Sequence, residues 1–159
     1  MTYTLIDSVT LTSSASSVTF SNIDQTYGDL VLSCSDIRSS TGGTFQFQLN
    51  GDTGNNYSWM YMSGNGSSTS SAKAGPQARI VISGGGMDNT GPIMATAQIM
   101  DYSATDKHTS CLIRSGNLTN VNVSAYAGRW ANTSAVTSIT LFGGSFNSGS
   151  TFYLYGIEA

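Results

Sequence analysis

The only histidine in the chain, His108, is the first residue to weigh for catalysis. It follows Asp106 in a polar stretch, so a Ser-His-Asp arrangement could be written with Asp106 or Asp101 and one of many serines. A hydrolase nucleophile would need a marked position such as a Gly-x-Ser-x-Gly elbow, and the sequence has none. We therefore predict that His108 is exposed to solvent and that the chain is not an enzyme.

Carboxylates and metal ligands are equally sparse. Glu158 is the only glutamate, so the facing carboxylates of a glycosidase would have to come from aspartates. Asp52, in a turn rich in asparagine, is the best calcium candidate, but the EF-hand pattern is absent and one carboxylate binds calcium weakly. His108 and Cys111 could supply two zinc ligands, yet no second pair has zinc-site spacing. We predict no catalytic residue, no metal site and no cofactor.

A surplus of aromatic side chains remains once catalysis is set aside. Protein interfaces and sugar sites both use Tyr and Trp. Methionines beside the rings, such as Met60 and Met94, would favour a protein interface, whereas a ring beside Arg and Asn, such as Trp130, would favour a sugar site. An ordinary core with tyrosines at its margins is the third interpretation. The candidate interface residues are Tyr57, Trp59, Tyr61, Tyr126, Trp130, Tyr153 and Tyr155.

Alternating apolar and polar residues predict the strands that position these rings. Every second residue of Thr44–Asn50 is apolar, which is the clearest such pattern in the chain. The closing stretch places Phe152 and Leu154 on one side and Tyr153 and Tyr155 on the other. Because both sides are large and apolar, we predict a central strand with Phe152 and Leu154 in the core.

The spacing of these patterns predicts the fold. About ten short apolar segments follow one another with turn residues between them and no helical periodicity. Glycine, serine and threonine fill the intervals, and these residues disfavour helices. The sequence therefore predicts an all-β chain: a single-domain antiparallel β-sandwich, jelly-roll-like, over residues 1–159.

Two stretches give weaker signals. In Thr4–Thr12, Leu5, Val9 and Leu11 share one face, although Asp7 interrupts the pattern. Ser63–Pro76 is rich in small residues, and we predict a long loop there.

Charge and composition exclude several partners. Charged residues make up 9% of the chain, the formal net charge is −3, and the six basic residues are dispersed. Phosphate binding needs clustered Lys and Arg, so we expect no nucleic-acid partner. The apolar runs are too short to span a bilayer, and the N-terminal residues lack the basic start and apolar core of a signal peptide. We expect synthesis in a cytoplasm and no membrane partner.

The two cysteines, Cys34 and Cys111, lie on the apolar phase of their strands. Two cysteines are too few to indicate a disulfide framework. We predict buried free thiols rather than a bridge.

Four stretches carry a resemblance to a known group of proteins. Val18–Ile23, Gln25–Leu30, Met100–Ser103 and Gly149–Ile157 resemble small all-β virion proteins of tailed bacteriophages, particularly phages of cyanobacteria and other aquatic bacteria. Such proteins decorate or cement capsids, or form parts of tails and fibres, commonly as symmetric oligomers. The resemblance implies a location in the virion, capsid or tail proteins as partners, and a homo-oligomer with a trimer as the first expectation.

These observations lead to two functional hypotheses. The first is a non-enzymatic virion component, a capsid decoration or cement protein that binds the assembled capsid and itself. The alternative is a tail or tail-fibre component, or a carbohydrate-binding module, that recognises a host surface glycan through Trp130, Tyr126 or Trp59.

Overall fold

The fold is that of a computed structural model, which describes residues 2–84, 86–118 and 121–158. Within these ranges the chain forms twelve β-strands and no helix. The all-β prediction is confirmed. The strands are β1 (Tyr3–Thr10), β2 (Ala15–Ser21), β3 (Asp29–Ile37), β4 (Phe45–Leu49), β5 (Tyr57–Gly64), β6 (Thr69–Gln77), β7 (Ile80–Ser83), β8 (Ile93–Met100), β9 (Thr109–Asn117), β10 (Asn122–Trp130), β11 (Ser138–Phe146) and β12 (Thr151–Ile157).

The strands form two antiparallel sheets of unequal size. The larger sheet has eight strands in the order β1-β12-β3-β8-β9-β10-β5-β6, and the smaller has four in the order β2-β11-β4-β7. The first five strands alternate between the two sheets, and β11 and β12 then insert between strands formed early in the chain. This nesting is typical of jelly rolls, so the predicted β-sandwich is confirmed.

The core lies between the small sheet and the inner face of the large sheet. The alternation in β4 buries Phe45, Phe47 and Leu49. The ring of Phe146 packs edge-on at 5.8 Å from Phe45 and 5.1 Å from Phe152, measured between centroids. Such aromatic pairs contribute about 0.5–1.5 kcal/mol beyond the area they bury. Three strands from both sheets are joined at this point.

The closing strand β12 is central, as predicted. It pairs with β1 on one side and with β3 on the other. Phe152 and Leu154 are fully buried, whereas Tyr153 and Tyr155 project from the opposite face and are partly exposed. The tyrosine hydroxyls therefore remain near solvent while the apolar side chains fill the core.

A tyrosine ring fixes the β2–β3 loop against this strand. A Cβ atom added at Gly156 would lie 2.3 Å from Cγ of Tyr27, so the ring packs directly on the glycine backbone. The amide of Gly28 also donates a hydrogen bond to the carbonyl of Ile157 at 2.8 Å. Only a residue without a side chain fits beneath the ring.

The prediction of a loop over Ser63–Pro76 is wrong, because most of this stretch forms the hairpin of β5 and β6. Its turn is closed by Asn65, whose Oδ1 accepts hydrogen bonds from the amides of Ser67 and Ser68. Strand β6 is an edge strand and is exposed along most of its length. With neither face covered, it needs no apolar alternation, so its sequence carries no strand periodicity.

The prediction that Leu5 shares a face with Val9 and Leu11 is also wrong. The pairing of β1 with β12 shifts register between Leu5 and Asp7, and Leu5 stands exposed opposite Tyr155. Val9 and Leu11 pack against the core. A one-residue irregularity moves every earlier side chain to the other face, because strand side chains alternate with period two.

The two cysteines are free and buried, which confirms the prediction for Cys34 and Cys111. Burial raises the pKa of the Cys34 thiol far above its ordinary value and that of Cys111 to about 12. Both side chains are therefore neutral packing groups at physiological pH.

A chain that ends at Gly149 lacks β12 and should not fold. Removing a strand that pairs on both sides exposes the core partners of Phe152 and Leu154 and leaves β1 and β3 unpaired. We expect no cooperative transition in urea unfolding followed by tryptophan fluorescence. A soluble truncated chain with a sharp transition would contradict the central position of β12.

The substitution Gly156→Ala should lower the free energy of unfolding by about 1–3 kcal/mol, because the new methyl group overlaps the ring of Tyr27. The matched control is Gly116→Ala, since a Cβ there meets nothing within 4 Å. The control should change stability by less than about 1 kcal/mol. Equal effects of the two substitutions on the free energy of unfolding would show that the packing of the Tyr27 ring does not require a glycine at position 156.

Candidate functional site

The face of the large sheet that points away from the small sheet has no other part of the described chain packed over it. On β8, for example, Ala95 and Ala97 are buried toward the core while Met94 points outward. We call this surface the outer face. Its two middle rows follow from the strand register and cross all eight strands: Leu5, Tyr155, Val31, Gln98, Leu112, Ala127, Met60 and Lys73; then Ser8, Tyr153, Ser33, Thr96, Arg114, Ala125, Met62 and Ser71.

The exposed apolar side chains of the described residues concentrate on this face. Nine large hydrophobic residues are exposed, and seven of them lie on the outer face. The other two, Leu118 and Val121, lie beside the β9–β10 turn. Singly scattered exposed hydrophobic residues are normal, so the concentration of these residues on one face is what points to a binding surface. The seven are Tyr3, Leu5, Met60, Met62, Met94, Leu112 and Val123.

One half of the outer face is hollowed into a groove of about 920 Å³. Residues of β3, β8, β9, β10, β5 and β6 line it. Most of the lining residues are serine, threonine, glycine or alanine, and the large apolar ones are Met62, Met94 and Val123. Arg114 is the one charged residue in the lining. The concave shape and the methionines suit a convex, partly apolar partner.

The other half of the outer face carries three exposed or half-exposed tyrosines. Tyr153 and Tyr155 are stacked, with ring centroids 6.2 Å apart, and Tyr3 meets Tyr155 edge-on at 6.4 Å. The structure therefore brings together two of the seven sequence-predicted interface rings on an accessible surface. Tyr3 adds a third ring that the sequence analysis did not single out.

Two other rings of the predicted set belong to the core. Tyr57 and Trp130 are each 1% exposed and stack on one another with centroids 6.3 Å apart. The Tyr57 hydroxyl accepts a hydrogen bond from the amide of Leu49 and is close enough to donate to its carbonyl. Burial raises the pKa of Tyr57 to about 12. Neither ring is accessible to a partner, so Tyr57 and Trp130 are core residues and not interface residues.

Tyr126, Trp59 and Tyr61 form a cluster on the inner side of the large sheet, where the smaller sheet ends. The centroids of Tyr61 and Tyr126 are 5.3 Å apart, and Trp59 lies 6.0 Å from Tyr126. Tyr126 is buried, and its burial raises its pKa, while Trp59 and Tyr61 are half-buried. These rings cover the core from the side, which is the third interpretation of the aromatic surplus. They are not part of the outer face.

Asp52, the calcium candidate, serves the fold. Its Oδ2 accepts hydrogen bonds from Nε1 of Trp130 at 2.7 Å and from Nδ2 of Asn56 at 2.8 Å, and its Oδ1 accepts one from the amide of Gly54. The Trp130 bond, followed by the Asn56 bond, holds the pKa of Asp52 below its ordinary value. The carboxylate thus ties the turn after β4 to the end of β10.

The remaining catalytic and metal candidates do not converge. His108 is exposed in the β8–β9 connection, as predicted. In the part of the chain that the structure describes, no three His, Cys, Asp or Glu side chains are grouped so that they could hold a metal ion. The absence of enzymatic activity stays a prediction. Within the same residues, no helix has the length and apolar character needed to cross a membrane.

Several residues of the outer face were not singled out from the sequence. Buried or small residues alternate with Leu112, Val123 and Lys73 along their strands. Such a pattern does not indicate whether that face of the strand contacts the core, solvent or a partner. The usable signal in the sequence was methionine, since Met60 and Met94 were associated with an interface and both are exposed on the outer face. Exposing polar side chains to water costs less free energy than exposing these apolar ones.

The comparisons with known proteins concern the architecture. No protein-family profile and no curated protein sequence matches the chain. Among solved structures, galectin LEC-6 of Caenorhabditis elegans is 12% identical, with a TM-score of 0.42, over 92% of this chain and 94% of the galectin. The exo-inulinase of Aspergillus awamori is 14% identical, with a TM-score of 0.45, over 98% of this chain and 29% of the inulinase.

Asp52→Asn should make stability less dependent on pH in acid. A carboxyl whose pKa is lowered by folding contributes stability that is fully present above its unfolded pKa of about 3.9 and is lost as the pH falls through the lower folded value. We expect the free energy of unfolding of the native chain to fall more steeply below about pH 4 than that of Asp52→Asn. Urea unfolding at a series of pH values measures both slopes.

The control for this measurement is Asp106→Asn, since Asp106 lies in an exposed turn outside the Trp130 contact. It should keep the native slope. If Asp52→Asn and the native chain lost stability in parallel, the Trp130 bond would not be coupled to the charge of Asp52.

Proposed function

We propose that this chain is a structural protein of a tailed-phage virion, a capsid decoration or cement protein that binds other virion proteins through the outer face. The observation that carries the proposal is the position of the exposed apolar residues: seven of the nine among the described residues lie on that one face. A face of this kind does its work by being buried against protein.

The composition of the face favours protein over sugar. Met60, Met62 and Met94 are each more than half exposed, and methionine is adaptable in contact with irregular apolar surfaces. The glycan hypothesis named Trp130, which lies beside Arg129 in the sequence, and Tyr126, and both of these rings are buried. The third ring proposed for that role, Trp59, is half-buried in the inner cluster. The protein-binding hypothesis is therefore the one that the geometry supports.

The size of the face suits a specific protein contact. Each strand of the large sheet has at least seven residues. Eight strands about 4.8 Å apart, with a rise of about 3.3 Å per residue, span a projected area of about 900 Å². A standard protein interface buries about 800 Å² on each partner. One face of this sheet can therefore supply a complete interface.

The resemblance to small virion proteins supports the location. It extends through stretches that form β2, the β2–β3 loop and β12, which are structural positions in the sandwich. A role on the capsid, a place in the tail and a trimeric state are all consistent with a protein that works by shape and burial. The capsid surface is the location that we propose.

The substitution Leu112→Lys tests the proposal. Leu112 is 54% exposed in the middle of the outer face, so a lysine there should leave the fold intact and place an unpaired charge in the contact. We expect binding to particles to weaken by about 10-fold or more. The measurement is quantitative mass spectrometry of particles purified from cells that produce either form.

The matched control is Leu118→Lys, the same chemical change at a residue that is 70% exposed beside the β9–β10 turn. It should leave the copy number in particles unchanged. Absence of the native chain from particles, or equal incorporation of Leu112→Lys, would contradict the proposed function.

A further inference from the structure

Half of the basic residues are already engaged within the fold. Arg38 and Lys107 each form an ion pair at 2.9 Å with a nearby aspartate. The guanidinium of Arg79 lies 3.8 Å from the centre of the Phe142 ring. These three cations lie outside the two middle rows of the outer face and do not need a partner from another molecule.

The other three basic residues all project from the outer face. Lys73 on β6, Arg114 on β9 and Arg129 on β10 are exposed, and none forms an ion pair with a described residue. The strands β8, β9, β10, β5 and β6 contain no Asp or Glu. We call the outer surface of these five strands the basic half. It is positively charged, although the whole chain has a net charge of −3.

The opposite edge of the same sheet is acidic. Strand β1 carries Asp7, and Glu158 follows β12 beside it; both are exposed and outside any ion pair with a described residue. Strands β1, β12 and β3 contain no Lys or Arg. The same edge exposes Tyr3 and Leu5. Asp7 pairs with the core residue Leu154, whereas Leu5 pairs with Tyr155, so the charges and the exposed apolar side chains lie on opposite sides of the edge strand. We call this free edge, including both of its sides, the acidic edge.

We propose that the acidic edge of one copy of the chain binds the basic half of the next. The inference rests on the proposed function and names one partner of the outer face as a second copy. Each surface combines exposed apolar side chains with unpaired charges, and the signs are opposite. Pairing them would neutralise charges that the isolated chain leaves open, which is the pattern of electrostatic complementarity at interfaces.

Shape favours unlike surfaces over like ones. The groove of about 920 Å³ makes the basic half concave. Two such grooves facing each other would enclose a void and oppose Arg114 with Arg114, whereas the edge of a sandwich is narrow enough to enter a groove. A contact between two different surfaces is heterologous, and heterologous contacts close into rings when the rotation permits. This geometry is compatible with the expected trimer.

Charge reversal on each surface tests the contact. The groove variant carries Arg114→Glu in the groove lining and Lys73→Glu beside the groove on β6. The edge variant carries Asp7→Lys and Glu158→Lys. We expect the native chain to associate in sedimentation velocity between about 1 and 100 μM, with association weakening as salt rises. Each variant alone should associate at least about 100-fold more weakly, because it presents like charges at the contact.

Mixing the two variants in equal amounts is the decisive step. The reversed groove then meets the reversed edge, and the two native surfaces remain complementary, so association should return to within about ten-fold of the native level. An edge variant that still associates alone would mean that the contact pairs like surfaces. That result, or no recovery in the mixture, overturns the proposal.

The controls separate charge from folding and from the proposed function. Arg38→Glu with Lys107→Glu changes the net charge as much as the groove variant but leaves the basic half intact, so it should associate normally. A native chain that stays monomeric while Leu112→Lys is lost from particles would overturn the self-contact and leave the proposed function standing. If association is restored in the mixture but Leu112→Lys is incorporated normally, the self-contact stands and the proposed function is overturned.

Discussion

The structure depends on the burial of one face of an eight-stranded sheet by a sheet of only four strands. A strand of the larger sheet that the small sheet covers must present apolar side chains to the core on alternate positions, as β8 does with Ala95 and Ala97. The small sheet meets them with the rings of β4 and β11, and β12 supplies Phe152. Burial of this apolar area is the main favourable contribution to folding.

The difference in size between the two sheets has two consequences at the surface. Where the small sheet ends, the rings of Trp59, Tyr61 and Tyr126 cover the core from the side. The outer face of the large sheet has no internal cover, and it carries seven of the nine large hydrophobic side chains that are exposed among the described residues. The fold therefore accounts for the inner rings, while the outer face requires an explanation in terms of another molecule.

Much of the fold was predictable because it follows from local alternation. The pattern of β4 and the two-sided apolar character of β12 each correspond to a single physical requirement, and both strands lie where the sequence predicted. Strand β6 was missed because an edge strand exposed on both faces has no periodic constraint. Leu5 was misplaced because the irregularity before Asp7 is a property of pairing with β12.

The sequence by itself determined the all-β class, the buried thiols and the inward side chains of the regular strands, because period-two alternation acts within a few neighbouring residues. Tertiary structure alone decided which aromatic rings are core and which are accessible. Trp130 stacks on Tyr57 in the core, and Asp52, distant in sequence, accepts the hydrogen bond of its indole N–H, whereas Tyr155 stays accessible because no strand lies over it. Contacts between residues far apart in the chain carry no local signature, so they are fixed only when the two sheets pack.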